Sequence, residues 1–354
     1  MNTTVRHWHR IAAVIAAIGL VGAMSGCHRT ESAQEPTEPA AEPAGPITVV
    51  ASVNQWGSLA AQIGGDDVTV TSIVNTTAVD AHDFEPQTAD VATLQQAQVV
   101  VCNGAGYDTW ATKSLSQDAI AVSAAETVGA TEGDNPHLWF SKDARNSMAT
   151  ELAEAFSKAL PEKKEQFQKR LADWQERERT LEQSMDDFSQ AHPDATYAAT
   201  ESVAYYLMSD LGFKDATPQG YAQSAANEAE PAPADLQEFQ SLIEDRGVDL
   251  LVNNTQQAGD ATNMITGTAG RAEVPVFDVS EQMPTEFTDL TDWITSLVDA
   301  INALLPTDTA EDGATESTEP QDGNDSSTPD TSTDESATED STVPSNEGQQ
   351  DPGR

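Results

Sequence analysis

Apolar and polar positions along the middle of the chain follow two periods, and each predicts its own kind of element. Ile47-Thr48-Val49-Val50-Ala51-Ser52 is short and β-branched, which predicts a strand. Residues 56–63 carry a helical pattern stopped by Gly64-Gly65. Residues 68–74 alternate as a second strand, 88–98 read as a helix, and the run Val99-Val100-Val101-Cys102 reads as a buried strand. Strand and helix in alternation predict an α/β lobe with a mainly parallel sheet over residues 47–140. The same rhythm returns over 191–306. Strands are expected at 196–200, 248–252 and, despite Pro275, 274–279; helices are expected at 203–211, 235–246 (stopped by Gly247) and 292–305.

Residues 141–190 between these lobes are helical in pattern. Pro161 divides them, since proline is accepted only in a first helical turn. In the second piece the apolar residues Leu171, Trp174, Leu181, Met185 and Phe188 are spaced by three, seven, four and three, a single narrow stripe. At ~1.5 Å per residue such a helix spans roughly 40 Å, the length of a domain. It reads as a rigid strut between two lobes rather than as a coiled coil.

The ends differ in composition. Arg6 and Arg10 precede an apolar run over 11–24, too short to span a membrane comfortably, and Met24-Ser25-Gly26-Cys27 follows. This resembles a bacterial lipoprotein signal, with Met24 where leucine is usual. The resemblance implies a leader over 1–26, cleavage before Cys27, a lipid on its sulfur, and a location on the outer face of the cytoplasmic membrane. Residues 27–46, rich in Glu, Pro and Ala, read as a flexible tether, and 307–354 as a disordered acidic tail. The formal net charge of −42 excludes nucleic acid as a partner. With Cys27 lipidated, Cys102 has no disulfide partner and reads as a buried, inert thiol.

Only six histidines occur, and three of them, His82, His137 and His192, fall in the folded region. His82 lies in Asp80-Ala81-His82-Asp83-Phe84-Glu85-Pro86 after the second strand, and His137 in Asn135-Pro136-His137-Leu138-Trp139 before the long helices. Both are loop positions near the ends of core elements, where α/β sheets gather ligands. His192, in a turn after the strut, reads as a surface residue.

The two motifs, in this order and followed by a long helix, resemble the metal-binding receptors of bacterial zinc and manganese ABC importers. The resemblance runs over nearly all of 47–306. It implies a monomer of two α/β lobes joined by a long rigid helix, with a divalent metal held in the interlobe cleft by four side chains and delivered to an ABC permease. Carried onto this chain, the ligands are His82, His137, Glu201 after the first strand of the second lobe, and Glu281 after its last, with Asp278 as the alternative to Glu281. Imidazole suits zinc and carboxylates suit manganese. Carboxylates that bind through both oxygens would add bonds that manganese accepts, and the region 112–136, matching a His-rich loop of many zinc receptors, has no histidine. Both points favour manganese, while the general affinity order favours zinc. No His-Glu-x-x-His helix, Gly-x-Ser-x-Gly elbow or phosphate loop is present, so an enzyme is not expected. A surface adhesin on the same fold is the alternative.

Overall fold

The computed structural model describes residues 45–306 except Asp80, Asp83 and Glu228. The leader, Cys27, the tether up to residue 44 and the segment 307–354 lie outside the described residues. The first lobe runs β1 (Ile47–Val53), α1 (Asn54–Gly64), β2 (Val68–Val74), α2 (Thr88–Gln95), β3 (Val99–Cys102), β4 (Ile120–Ser123) and α3 (Ala124–Val128). Two helices follow, α4 (Lys142–Ala159) and α5 (Lys164–Ala191), broken at Pro161 as expected. The second lobe runs β5 (Thr196–Ala199), α6 (Tyr205–Asp210), β6 (Lys214–Asp215), α7 (Gln219–Ala226), α8 (Pro233–Glu244), β7 (Leu250–Asn254), α9 (Asp260–Ala272), β8 (Val276–Val279) and α10 (Leu290–Leu304).

Each lobe holds a four-stranded sheet, in the orders β2-β1-β3-β4 and β6-β5-β7-β8. Every pairing is parallel. The second lobe therefore repeats the strand order of the first, and both sheets bring their carboxyl ends to loops that can converge. Period-two alternation sorts the strand faces. Val49 and Ala51 enter a large core that also contains Leu59, Trp174 and Trp293, whereas Val50 faces Leu94 and Ala97 of the α2 side. The large core draws on both lobes and on α4 and α5. A separate cluster around Phe239, Ile243, Leu251 and Ile265 fills the outer face of the second sheet.

Some elements depart from expectation. Helix α2 stops three residues early. The region 112–136 holds β4 and α3, not an open loop. Strand β7 covers Leu250–Asn254, two residues later than its apolar run suggests, because Leu251, Val252, Asn253 and Asn254 pair with β8. Helices α7 and α9 carry no clear helical pattern in the sequence, and α9 contains Gly267 and Gly270, poor helix formers.

Helix α5 packs on α4, α1 and α10, so the strut is covered by the first lobe and by the last helix. All five residues of its expected stripe are buried, and the seven-residue gap in that stripe is filled by a buried glutamate, Glu178. Its carboxylate receives Nε and Nη2 of Arg145, also fully buried, at 2.7 and 2.6 Å. Arg145 Nη1 donates to the carbonyls of Trp139 and Phe140, and Thr291 of α10 donates to Glu178 Oε2 at 3.2 Å. One ion pair thus joins α4, α5, α10 and the turn after His137. Removing one partner leaves an uncompensated buried charge. Arg145→Met is expected to cost about 3–5 kcal/mol in urea unfolding, and Arg145→Met with Glu178→Leu to recover most of that loss.

Candidate metal centre

The four candidate side chains come from four separate segments. His82 follows β2, His137 precedes the 3-10 turn Leu138–Phe140, Glu201 follows β5, and Glu281 follows β8. One donor atom from each lies within 4.8 Å of the other three. The cluster sits where the loops at the carboxyl ends of the two sheets meet. His137 and Glu281 are nearly enclosed, each with 3% of its side chain exposed, while His82 at 22% forms the open side. Asp278 is not part of the cluster: it lies exposed and accepts a hydrogen bond from Asn253 Nδ2 at 2.7 Å. His192 stacks on Phe188 at the end of α5 and is likewise outside the cluster.

Neighbouring groups fix each side chain. Asn135 Nδ2 donates to the carbonyl and hydroxyl oxygens of Ser202, at 2.7 and 3.1 Å, which leaves its Oδ1 as an acceptor. That oxygen takes the backbone N–H of His137 at 3.0 Å and faces His137 Nδ1 at 2.9 Å. Nδ1 then donates to Asn135, so Nε2 is the ring nitrogen that faces the cluster. His137 Nε2 is buried without a hydrogen-bond donor, as a metal-ready imidazole requires. Asn135 also ties the two lobes together, because Ser202 adjoins Glu201.

Glu281 is gripped through its backbone from both lobes. Gln55 of α1 donates to its carbonyl at 2.7 Å, and Gln256 accepts its N–H at 2.8 Å. Its Oε2 accepts from the Tyr107 hydroxyl at 3.1 Å and lies 3.6 and 3.8 Å from Nε2 of His82 and His137. Tyr107 is aimed by a turn in which Gly104, Ala105 and Gly106 all take positive φ, at 79°, 53° and 88°. Glycine supplies two of these without steric cost. Asp108 clamps the turn by accepting the N–H groups of Asn103 and Gly104 at 2.6 and 2.8 Å. Asn254, the last residue of β7, donates to Glu201 Oε2 at 2.6 Å and to Glu281 Oε1 at 3.2 Å.

The two carboxylates differ electrostatically. Burial pushes the Glu201 carboxyl above the usual carboxylate range and the nearby Glu281 adds to this, against the hydrogen bond from Asn254. Burial also opposes ionisation of Glu281, but His137, His82 and the Tyr107 hydroxyl outweigh it and hold Glu281 below that range. Burial and the adjacent Glu281 raise the Tyr107 phenol well above its ordinary value, so it remains a neutral donor. Two imidazoles and two carboxylates, desolvated and already oriented, form a donor set suited to a divalent transition metal. Sequence reasoning missed Asn254, Asn135 and Tyr107. Their only sequence signal is position, Asn254 at a strand end and the others beside glycine or proline in loops.

Residues 49–304 match the family described as zinc-uptake complex component A, periplasmic. The chain is 21% identical over 308 residues to the zinc-binding lipoprotein AdcA of Streptococcus pneumoniae, covering 80% of this chain and 60% of that protein. It thus spans less than two thirds of AdcA. It is 26% identical over 249 residues to the manganese ABC transporter substrate-binding lipoprotein PsaA of the same species, covering 65% of this chain and 74% of PsaA. Among solved structures, the laminin-binding protein Lmb of Streptococcus agalactiae, described as bifunctional with adhesin and metal transporting activity, has a TM-score of 0.61. At 18% identity, covering 73% of this chain and 99% of Lmb, that likeness establishes the fold.

The raised Glu201 has a consequence for the metal-free protein. Its contribution to stability is fully present below the unfolded carboxylate pKa of about 4.3 and is lost as pH rises through the higher folded value. Glu201→Gln removes that loss. Calorimetry in the presence of a chelator should therefore give Glu201→Gln a higher Tm than wild type at pH 7, with the difference closing at about pH 4.

Proposed function

The chain belongs to the periplasmic zinc-uptake complex component A family, and from that premise we propose that it captures a divalent transition metal, manganese or zinc, and hands it to an ABC importer. The family is one of metal-binding transport components, so the chain is a binding protein and not an enzyme. The observation that carries the reading is the convergence of His82, His137, Glu201 and Glu281 on one point from four segments of two lobes. In this reading those four side chains are the ligands. Cys27 bears the lipid that holds the receptor at the outer face of the cytoplasmic membrane, and the permease of the importer is its partner. The relatives AdcA and PsaA are named for zinc and manganese binding respectively, and both are lipoproteins. An adhesin role would leave the buried donor cluster without a use.

Metal joins Glu201 of the second lobe to the histidines of the first and stabilises one arrangement of the two. The permease then reads that arrangement. Helix α5 is packed along its length, and Gln55 and Asn135 already cross between the lobes, so the motion is small. Small-angle scattering of the full chain should show nearly the same radius of gyration with and without metal; a hinge-like compaction would contradict this mechanism.

Competition titration of the full chain with manganese and with zinc is expected to give one tightly bound equivalent. Glu201→Ala and His137→Ala should each weaken it by at least about 10-fold, since each removes a donor from the site. Absence of any tight metal binding by the wild-type chain would overturn the receptor reading.

A further inference from the structure

A second cavity, of about 240 Å3, lies in the second lobe close to the metal centre. Thr200, one residue before Glu201, forms part of its wall, and its hydroxyl accepts the N–H of Asn254 at 3.1 Å. None of the four candidate metal ligands lines it. The cavity has room for about eight waters at ~30 Å3 each and falls below the ~300–1,000 Å3 typical of small-molecule sites, so only a very small solute fits.

Two features make it a built site. The first is Tyr221 of α7, which is 3% exposed and packs its ring edge-on against Phe239, with centroids 4.7 Å apart. Its hydroxyl has no hydrogen-bond partner among the described residues. The oxygen is not sealed in by the packing, so it opens on the cavity that the residue lines. Burial pushes the phenol up to about 12, and Glu201 and Glu230 add to this, which leaves a neutral donor without an acceptor. The second feature is the amino end of α9. Its N-cap is Gly259, which has no side chain to take the first-turn N–H groups that Ser, Thr, Asp or Asn would accept. Gly259, Asp260, Ala261 and Thr262 all line the cavity. A phenol hydroxyl and the positive end of a helix dipole in one small space call for a carboxylate.

A plain anion fits poorly all the same. Glu230 and Asp260 also line the cavity, and no Lys or Arg does. An anion would meet their repulsion, while a bare cation would face the helix end and the phenol proton. A solute that carries both charges a short distance apart satisfies both sets, and Ala225, Ala258 and Pro231 leave an apolar remainder of the wall for its body.

We propose that this cavity is a binding site for a free α-amino acid with a small apolar side chain. The Tyr221 hydroxyl and the amino end of α9 take the carboxylate, and the ammonium group faces Glu230 and Asp260. The site is separate from the metal centre and fills without metal.

The test is calorimetric titration of the full chain with L-alanine and L-valine in the presence of a chelator, so that an amino acid held through a bound metal ion is not scored. Acetate and methylammonium, each carrying one half of the zwitterion, are titrated beside them. Wild type should take up one equivalent of at least one of the two amino acids, and each half alone should bind at least about 10-fold more weakly. Tyr221→Phe, which keeps the ring against Phe239, and Glu230→Gln should each weaken the amino acid by about 10-fold while leaving zinc and manganese affinities unchanged, which shows that the variants are folded. Absence of binding by both amino acids overturns the proposal. So does acetate that binds as tightly as the amino acid, since the cavity is then a plain anion site, and so do variants that bind the amino acid as wild type does. None of these outcomes touches the metal-receptor reading, which falls only if the chain binds no metal.

Discussion

Two carboxylates confined to one buried pocket repel each other, and the arrangement of this protein follows from having to hold them there. Isolated buried charges of like sign are costly, and the usual escape is protonation. Here two imidazoles and a phenol hold Glu281 below the usual carboxylate range, burial pushes Glu201 above it, and one asparagine donates to both. The groups that hold the carboxylates come from both lobes. Gln55 and Tyr107 belong to the first, Asn254 and Gln256 to the second, and Asn135 of the first reaches Ser202 of the second. The lobes cannot separate freely without undoing these bonds, so a shared core beneath the site is the natural companion of the site itself.

Much of the architecture was legible because it rests on strong local signals. Strands β1, β2 and β3 are β-branched runs bounded by clear stops, and the break at Pro161 has a steric cause that no packing can override. The missed elements lack such signals. The four residues of β4 are too short to show a period, and α9 is a helix of threonines and glycines that tertiary packing alone secures. In strand β7 apolar character ends at Val252, whereas pairing with β8 continues to Asn254, so the apolar run alone sets the strand two residues early. That small slip hid the residue that bridges the carboxylates.

The candidate ligands were legible through motif and order, since His82 and His137 stand in distinctive loops and histidine is scarce. What surrounds them was not. Asn254, Asn135 and Gln55 act through the direction in which an amide points, and direction is fixed by partners 53, 67 and 226 residues away. The gap in the α5 stripe teaches the same lesson. A seven-residue interval between apolar positions reads as a polar turn of the helix facing water, yet Glu178 is buried there because Arg145 meets it from α4. A charged residue at a core position is readable only together with its counterion, and the two are 33 residues apart.

The last helix has a consequence for how the chain is made. Ser58, on the first helix, accepts the N–H of Leu290 and donates to the carbonyl of Thr288, groups 232 and 230 residues away. Trp293 and Ile301 of α10 belong to the same core as Val49 and Leu59. During vectorial synthesis the first lobe emerges early but stays uncovered along α1 until α10 has cleared the ribosome. Closing contacts of such long sequence separation is slow. The order of synthesis therefore sets the order of folding: the fold cannot lock until the final turn of α10 arrives.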